Sequence, residues 1–210
     1  MLFDDADYRK EKHPSNNWDI FGADTAVETL RAHIASGLIN RSYMFIGPSG
    51  IGKSRLAMRF AQSVFAPLAN DPTSPDLNNE TAHRIEAGEF GDIHFITASE
   101  DSRTGRSKTT DIRQFIRSAD LKPFNSKHRF VIFEADIASE AGRSATLKFL
   151  EEPPSDTTLI IITDSPSSFP ATIRSRCYDI VLRPLPQETL AAILVSEDLV
   201  KEIDTASEYA

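Results

Sequence analysis

The apolar positions change their period along this chain, and the changes mark out its elements. Two unbroken apolar runs, "FVIF" at 130–133 and "TLIIIT" at 158–163, have the pattern of strands buried on both faces of a parallel sheet. Shorter runs at 42–46 ("SYMFI"), 93–98 ("IHFITA") and 178–182 ("YDIVL") read as further strands. Between them the spacing becomes helical. Val27, Leu30 and Ile34 share one stripe, with Thr25 and Glu28 placed as a capping box and Gly37 as a stop. Leu56, Phe60 and Val64 share a second stripe. Asp111 is placed to cap a helix carrying Ile112, Phe115, Ile116 and Ala119, which Pro123 closes. Residues 139–151 read as helix, and Leu190, Ile193 and Leu194 begin another after "RPLP". The stretch 68–92 is polar and broken by prolines, so it reads as a long connection holding one helical turn. Residues 99–110 read as a loop. Strand alternating with helix at these lengths predicts an α/β fold, a doubly wound parallel sheet with helices on both faces.

Between the first strand and the second stripe stands "GPSGIGKS", which satisfies G-x-x-x-x-G-K-[ST] with Gly47, Gly52, Lys53 and Ser54. Glycines let a backbone wrap tightly, so that the N–H groups of Pro48's successors (Ser49, Gly50, Ile51) and of the helix start point at phosphate oxygens. Lys53 then reaches the β- and γ-phosphates and Ser54 ligates Mg²⁺. A strand before the loop and an amphipathic helix after it are the context this motif requires. A tight strand-to-helix turn without function is the weaker explanation.

Composition narrows the function classes. A formal charge of −8 argues against a protein that coats nucleic acid by itself. Local basic groups remain: Arg103, Arg106 and Lys108 in one polar loop, Arg174 and Arg176 in "TIRSRC". The first cluster reads as a solvated loop, with contact to DNA phosphates left open. The single cysteine, Cys177, excludes an internal disulfide and fits a reducing compartment, and the N-terminal residues are charged from Asp4 onward without the apolar core of a secretory signal. A cytoplasmic protein is expected. His13, His33, His83, His94 and His128 form no metal-like pairing, so no zinc site is expected. No nucleophile-elbow motif occurs.

Three further stretches resemble one family. "ATLKFLEEPPSDTTLIIITDSPSSFPATIRSRC" (145–177), "FGADTAVETLRAHIASGLINRSYMFIGPSGIGKSRLAMRFA" (21–61) and "TTDIRQFI" (109–116) are similar to the AAA+ clamp-loader subunits of the bacterial replicase, DNA polymerase III. The resemblance implies a polar tail over 1–16, an AAA+ nucleotide-binding domain over 17–183 and the start of a helical lid over 184–210. It also implies a collar domain beyond the lid, so a truncated chain is expected. A four-cysteine zinc module common in the family has no counterpart in 66–92, which lacks cysteine.

Within the family the "FGADTAVETL" opening and the strand "RFVIFEAD" (129–136) look like the delta-prime branch rather than the gamma/tau motor branch. Counting back from "LEEPP" puts Phe133 in the slot of the motor's magnesium-side aspartate and Glu134 in the slot of its glutamate, with Ala135 and Asp136 after them. The resemblance therefore implies a degenerate catalytic strand, with Glu134 left to polarise water. ATP or ADP with Mg²⁺ can be bound, with hydrolysis weak or absent. Arg176 of "SRC" takes the place of the family's arginine finger, acting across a subunit boundary, and Thr163 and Asp164 take the sensor position. The implied partners are the gamma/tau motor and delta subunits, the sliding clamp and primed DNA. Two alternatives stay open: an autonomous motor ATPase whose acid is Glu134 or Asp136, and an unrelated P-loop protein of helicase-loader type.

Overall fold

The computed structural model describes residues 18–39, 41–96, 126–135, 149–151, 154 and 156–196. In chain order these give α1 (Asp24–Ala35), β1 (Ser42–Ile46), α2 (Lys53–Phe65), β2 (Pro67–Leu68), β3 (Asp71–Pro75), α3 (Glu80–Glu86), β4 (Ile93–Ile96), β5 (Arg129–Glu134) and β6 (Thr157–Thr163). A short helix α4 (Ala171–Arg174), β7 (Tyr178–Val181) and α5 (Gln187–Ser196) follow. Residues 149–151 are helical, the described end of the helix expected over 139–151.

Five strands form one sheet in the order β4-β5-β6-β1-β7. Every pairing in it is parallel, with Ile46 opposite both Thr163 and Val181. This is the doubly wound architecture that the alternation of strand and helix predicts. The apolar runs are continuous because both faces are covered. Tyr43, Phe45, Phe130, Ile132, Ile160 and Ile162 face one cluster, shared with Trp18, Leu30, Leu56 and Phe60 of the preceding segment and helices. Met44, Val131, Phe133, Leu159 and Ile161 face the other, shared with Phe149, Leu150 and Ile173. Each fully buried side chain of this size contributes about 1.5–3 kcal/mol relative to exposure. Alternate residues of a strand thus commit to opposite faces, which later decides what Phe133 and Glu134 can do.

Two expectations are corrected. The capping box does not form: α1 begins at Asp24, its N-cap is Ala23 with no side-chain cap bond, and Thr25 lies inside the first turn, its carbonyl accepting from the Thr29 hydroxyl at 2.7 Å. The stretch 68–92 is more ordered than its prolines imply. It holds the β2–β3 hairpin and the two-turn helix α3, capped by Asn79. Polar knots replace the missing apolar pattern there. The Asp71 carboxylate accepts from the Thr73 hydroxyl at 2.6 Å, the Ser74 hydroxyl at 2.7 Å and Arg31 Nη2 at 3.0 Å. Those bonds, those to Thr73 and Ser74 foremost, hold its carboxyl below the usual range. Gly37 does stop α1, at φ 66°, with Leu38 N–H bonding back to the His33 carbonyl.

The buried Arg59 fastens the segment before α1 to α2. Its Nε donates to the Trp18 carbonyl at 3.1 Å, and its Nη atoms donate to Gln62 Oε1 at 2.7 Å and Asp19 Oδ2 at 3.3 Å. Asp19 also pairs with Arg55. The helix following the phosphate motif is therefore clamped along its length.

Candidate functional site

The loop 47–54 lies where a phosphate-binding loop must, between the end of central strand β1 and the first turn of α2. Its backbone is shaped at two glycines. A Cβ on Gly47 would come within 2.7 Å of the Leu182 carbonyl, so only glycine lets the loop leave β1 beside the end of β7. Gly52 is the N-cap of α2 with φ 96°, a left-handed conformation that aims the following N–H groups out of the helix end. The loop is braced from the other side as well: Gly47 N–H donates to the Thr163 carbonyl at 3.2 Å.

Lys53 is 6% exposed, and its Nζ donates to the Gly47 carbonyl at 2.6 Å and the Pro48 carbonyl at 2.7 Å. The ammonium therefore sits within the curl of the loop, on the path of any phosphate entering it. Ser54 donates its hydroxyl to Glu134 Oε1 at 2.9 Å. This brings the hydroxyl of the motif and a carboxylate of β5 together across the sheet. Pro48, Ser49 and Gly50 are exposed and Ile51 half-buried, so the loop's rim is open. These groups fit a magnesium nucleotide in kind: a cation and helix N–H groups for phosphate, a hydroxyl and a carboxylate for a hard metal ion.

The count from "LEEPP" is corrected here. Phe133 is 1% exposed and belongs to the cluster on the sheet face opposite α2, as do Val131 and Ala135. Phe130 and Ile132 belong to the cluster on the α2 side. Glu134, in phase with them, is the residue that meets Ser54. Phe133 thus does not face the loop, and Glu134 is the residue at this strand end that does. The signal was present in the period-2 pattern of β5, which a helix-based count ignores when the connection between strand and helix varies in length. Asp136 lies outside the described residues.

The sensor residues divide. Thr163 is fully buried; its carbonyl braces Gly47, and its hydroxyl accepts from Ser165 N–H at 3.0 Å. Its hydroxyl thus shapes the turn after β6, while its backbone supports the loop. Asp164, next along, is exposed. Arg176 follows α4 at the surface, with Nη1 donating to the Thr172 carbonyl at 2.7 Å. That bond to its own turn holds the guanidinium near the protein while its other donors are available to a partner. Arg174 is exposed beside it. Cys177 is half-buried, and burial, with Asp179 nearby, pushes its thiol up to about 12. Arg103, Arg106 and Lys108 lie outside the described residues. Among the described residues no group of three or more His, Cys, Asp and Glu could hold a metal ion, and no helix is long and apolar enough to cross a membrane.

The family described as "DNA polymerase III, delta subunit" matches this chain over residues 22–186. A DNA polymerase III subunit gamma/tau from Mycobacterium tuberculosis is 32% identical over 189 residues, covering 89% of this chain and 32% of its own length. A DNA polymerase III subunit delta' from Bacillus subtilis is 27% identical over 173 residues, covering 82% of this chain and 51% of its own. The chain thus spans about a third of the one relative and about half of the other. Among solved structures, a gamma subunit-related protein of DNA polymerase III from Thermotoga maritima superposes with TM-score 0.50 at 19% identity, covering 87% of this chain and 56% of that one. A RuvB variant from the same organism superposes with TM-score 0.54 at 16% identity, covering 89% and 53%. At such identities the structural likenesses establish the fold alone, an AAA+ type of parallel α/β sheet.

Proposed function

Because this chain belongs to the DNA polymerase III delta-subunit family, we propose that it serves as a subunit of the bacterial replicative clamp loader. In this reading it works with gamma/tau motor and delta subunits in ATP-dependent loading of the sliding clamp on primed DNA, as a delta-prime-type partner. It holds nucleotide in the 47–54 loop, hydrolyses it weakly or not at all, and presents Arg176 to the nucleotide of a neighbour. The family match over 22–186 carries the reading.

The residues divide the work as follows. Lys53 and the N–H groups at the start of α2 would bind the phosphates, and Ser54 with Glu134 would hold magnesium, which when bound neutralises phosphate charge. Hydrolysis needs, in addition, a group that orients water. Of positions 133–135 one carries a carboxylate, and that carboxylate is engaged by Ser54. Phe133 and Ala135 are turned into the core on the other face. This supports weak turnover. Arg176, exposed and anchored on Thr172, is suited to act outside its own subunit. An arginine supplied in trans contributes on the order of 10³–10⁵ in rate.

A second reading, an autonomous ATPase of gamma/tau type, has in its favour the 32% identity to the mycobacterial gamma/tau chain. Co-purification separates the proposal from unrelated P-loop functions. The full-length protein should be retained by motor and delta subunits in a stable assembly, and failure to associate with either would overturn it. Motor-like turnover by the isolated protein, lost on Lys53→Ala, would favour the second reading.

A further inference from the structure

The free side of β7 carries a self-complementary pattern. Among the described residues β7 pairs with β1 on one side and with no strand on the other. Leu182 N–H donates to the Ile46 carbonyl, so the even-numbered residues of this strand turn their backbone groups toward β1. By alternation Asp179, Val181 and Arg183 turn theirs outward. The side chains alternate as well: Ile180 and Leu182 lie in the core cluster, whereas Asp179, Val181 and Arg183 are exposed. Val181, 55% exposed, thus has an acid two residues before it and a base two residues after it. We infer that this edge is an interface for a second copy of the chain, with two β7 strands pairing antiparallel about a two-fold axis at Val181.

In that register Val181 meets its own copy, and Asp179 of each chain lies opposite Arg183 of the other. All three positions face outward, so the two chains exchange about six backbone hydrogen bonds. Two ion pairs flank one apolar contact, and Tyr178, 43% exposed, comes opposite Pro184 of the other copy. A two-fold interface has to be self-complementary in this way. There is room for the second strand: a groove of about 500 Å³ follows the edge, bounded on the helix side by the short residues Thr25, Ala26 and Thr29. Charges on an edge strand ordinarily guard it against pairing. Like charges on either side of Val181 would do so here, but the opposite signs of Asp179 and Arg183 attract. A parallel, in-register pair would set like charges opposite each other, so the pattern selects the antiparallel one. The contact is small, which makes the dimer weak and dependent on concentration.

The test is sedimentation equilibrium of the full chain, from low micromolar to several hundred micromolar, at low salt. The wild-type protein should pass from monomer to dimer, and added salt should move the transition to higher concentration. Asp179→Arg and Arg183→Asp each set like charges opposite one another twice, and each should weaken the dimer at least about tenfold. Mixed in equal amounts, the two variants should associate with each other about as tightly as the wild type does with itself. That recovery also shows that both variants are folded. Val181→Lys, at an exposed position, should abolish the dimer while the melting temperature holds. A wild type that stays monomeric at every concentration overturns the inference. So does a dimer indifferent to Asp179→Arg, or a failure of the mixed variants to associate. A monomeric wild type whose retention by motor and delta subunits falls on Asp179→Arg overturns it too, and gives the edge to a strand of another subunit.

Discussion

Ser54 and Glu134 stand 80 positions apart in sequence and 2.9 Å apart in space, hydroxyl to carboxylate. One comes from the first turn of α2 and the other from the last residue of β5, so the bond ties the phosphate loop to the middle of the sheet. Two packing facts set it up. The strand period places Glu134 on the face of Phe130 and Ile132, and the parallel order β5-β6-β1 brings the C-terminal ends of those strands to one edge.

That relationship makes Phe133→Asp an informative substitution. If position 133 were the lost metal-side acid, the change would restore binding. In the structure it deletes a buried ring and places a carboxylate among Met44, Leu159 and Ile161. Removing a large aromatic from a core costs about 3–5 kcal/mol before the buried charge is counted. The expected result is a large drop in the urea midpoint with no gain in magnesium-dependent nucleotide affinity. An unchanged midpoint would mean that the side chain faces solvent at the loop.

Gly47→Ala should damage loop and sheet together. Its Cβ would lie 2.7 Å from the Leu182 carbonyl, which is backbone and cannot swing aside. Overpacking of this kind costs about 1–3 kcal/mol. Thermal unfolding should shift down and nucleotide affinity fall, whereas unaltered binding would show that β7 gives way without consequence for the loop.

Arg176→Ala should leave the fold nearly intact. The side chain is exposed and its bond goes to a carbonyl of its own short helix. Surface changes of this sort stay within about 0.5 kcal/mol. A larger shift in melting would assign the residue to structure and count against the role toward a neighbour proposed for it.

Mild acid should loosen the N-terminal ends of β4 and β5. Burial, the leading cause, lowers the pKa of His128, whose Nε2 lies 2.9 Å from the Thr158 hydroxyl, against the opposing pull of Asp156. Burial, with Arg129, lowers that of His94 also, against Asp92. The unfolded chain then binds more protons than the folded one as pH falls below the ordinary histidine value of about 6.5. Stability from these groups is present above that value and is lost as pH drops through the lowered folded values. Urea midpoints should decline from pH 7 to pH 5, and His128→Gln should flatten the decline. A flat profile in the wild type would contradict the burial of both rings.

Cys177 should be a poor nucleophile. With its thiol at about 12, the thiolate is scarce at pH 8, and alkylation by iodoacetamide should be much slower than for a free cysteine. Rapid labelling of the folded protein would contradict its burial.

How much of this was legible in the sequence depends on which period carried the signal. β1 was readable to its ends, and β5 and β6 to within a residue, because strands covered on both faces write themselves as continuous apolar runs. The loop 47–54 was readable because its glycines and Lys53 are local requirements. The β2–β3 hairpin was not, and α3 only as a single turn, since their order comes largely from Asp71, Arg31 and Asn79 hydrogen bonds that leave no apolar pattern. The pairing of Ser54 with Glu134 was half legible. Both residues stood out, but the side on which each acts is set by strand phase and sheet order, and a count from a distant motif cannot carry phase across a connection.

The proposed division of labour between this chain and a motor neighbour is tested most directly by ATPase measurements, stimulated by primed DNA, on a clamp loader assembled from the full-length protein with motor and delta subunits. Arg176→Ala in this subunit should lower the assembly's rate at least tenfold while the assembly still forms, and Lys53→Ala in the same subunit should leave the rate close to wild type. The reverse pattern, an indifferent Arg176 and an assembly rate that depends on this chain's Lys53, would contradict the account and make this subunit the motor.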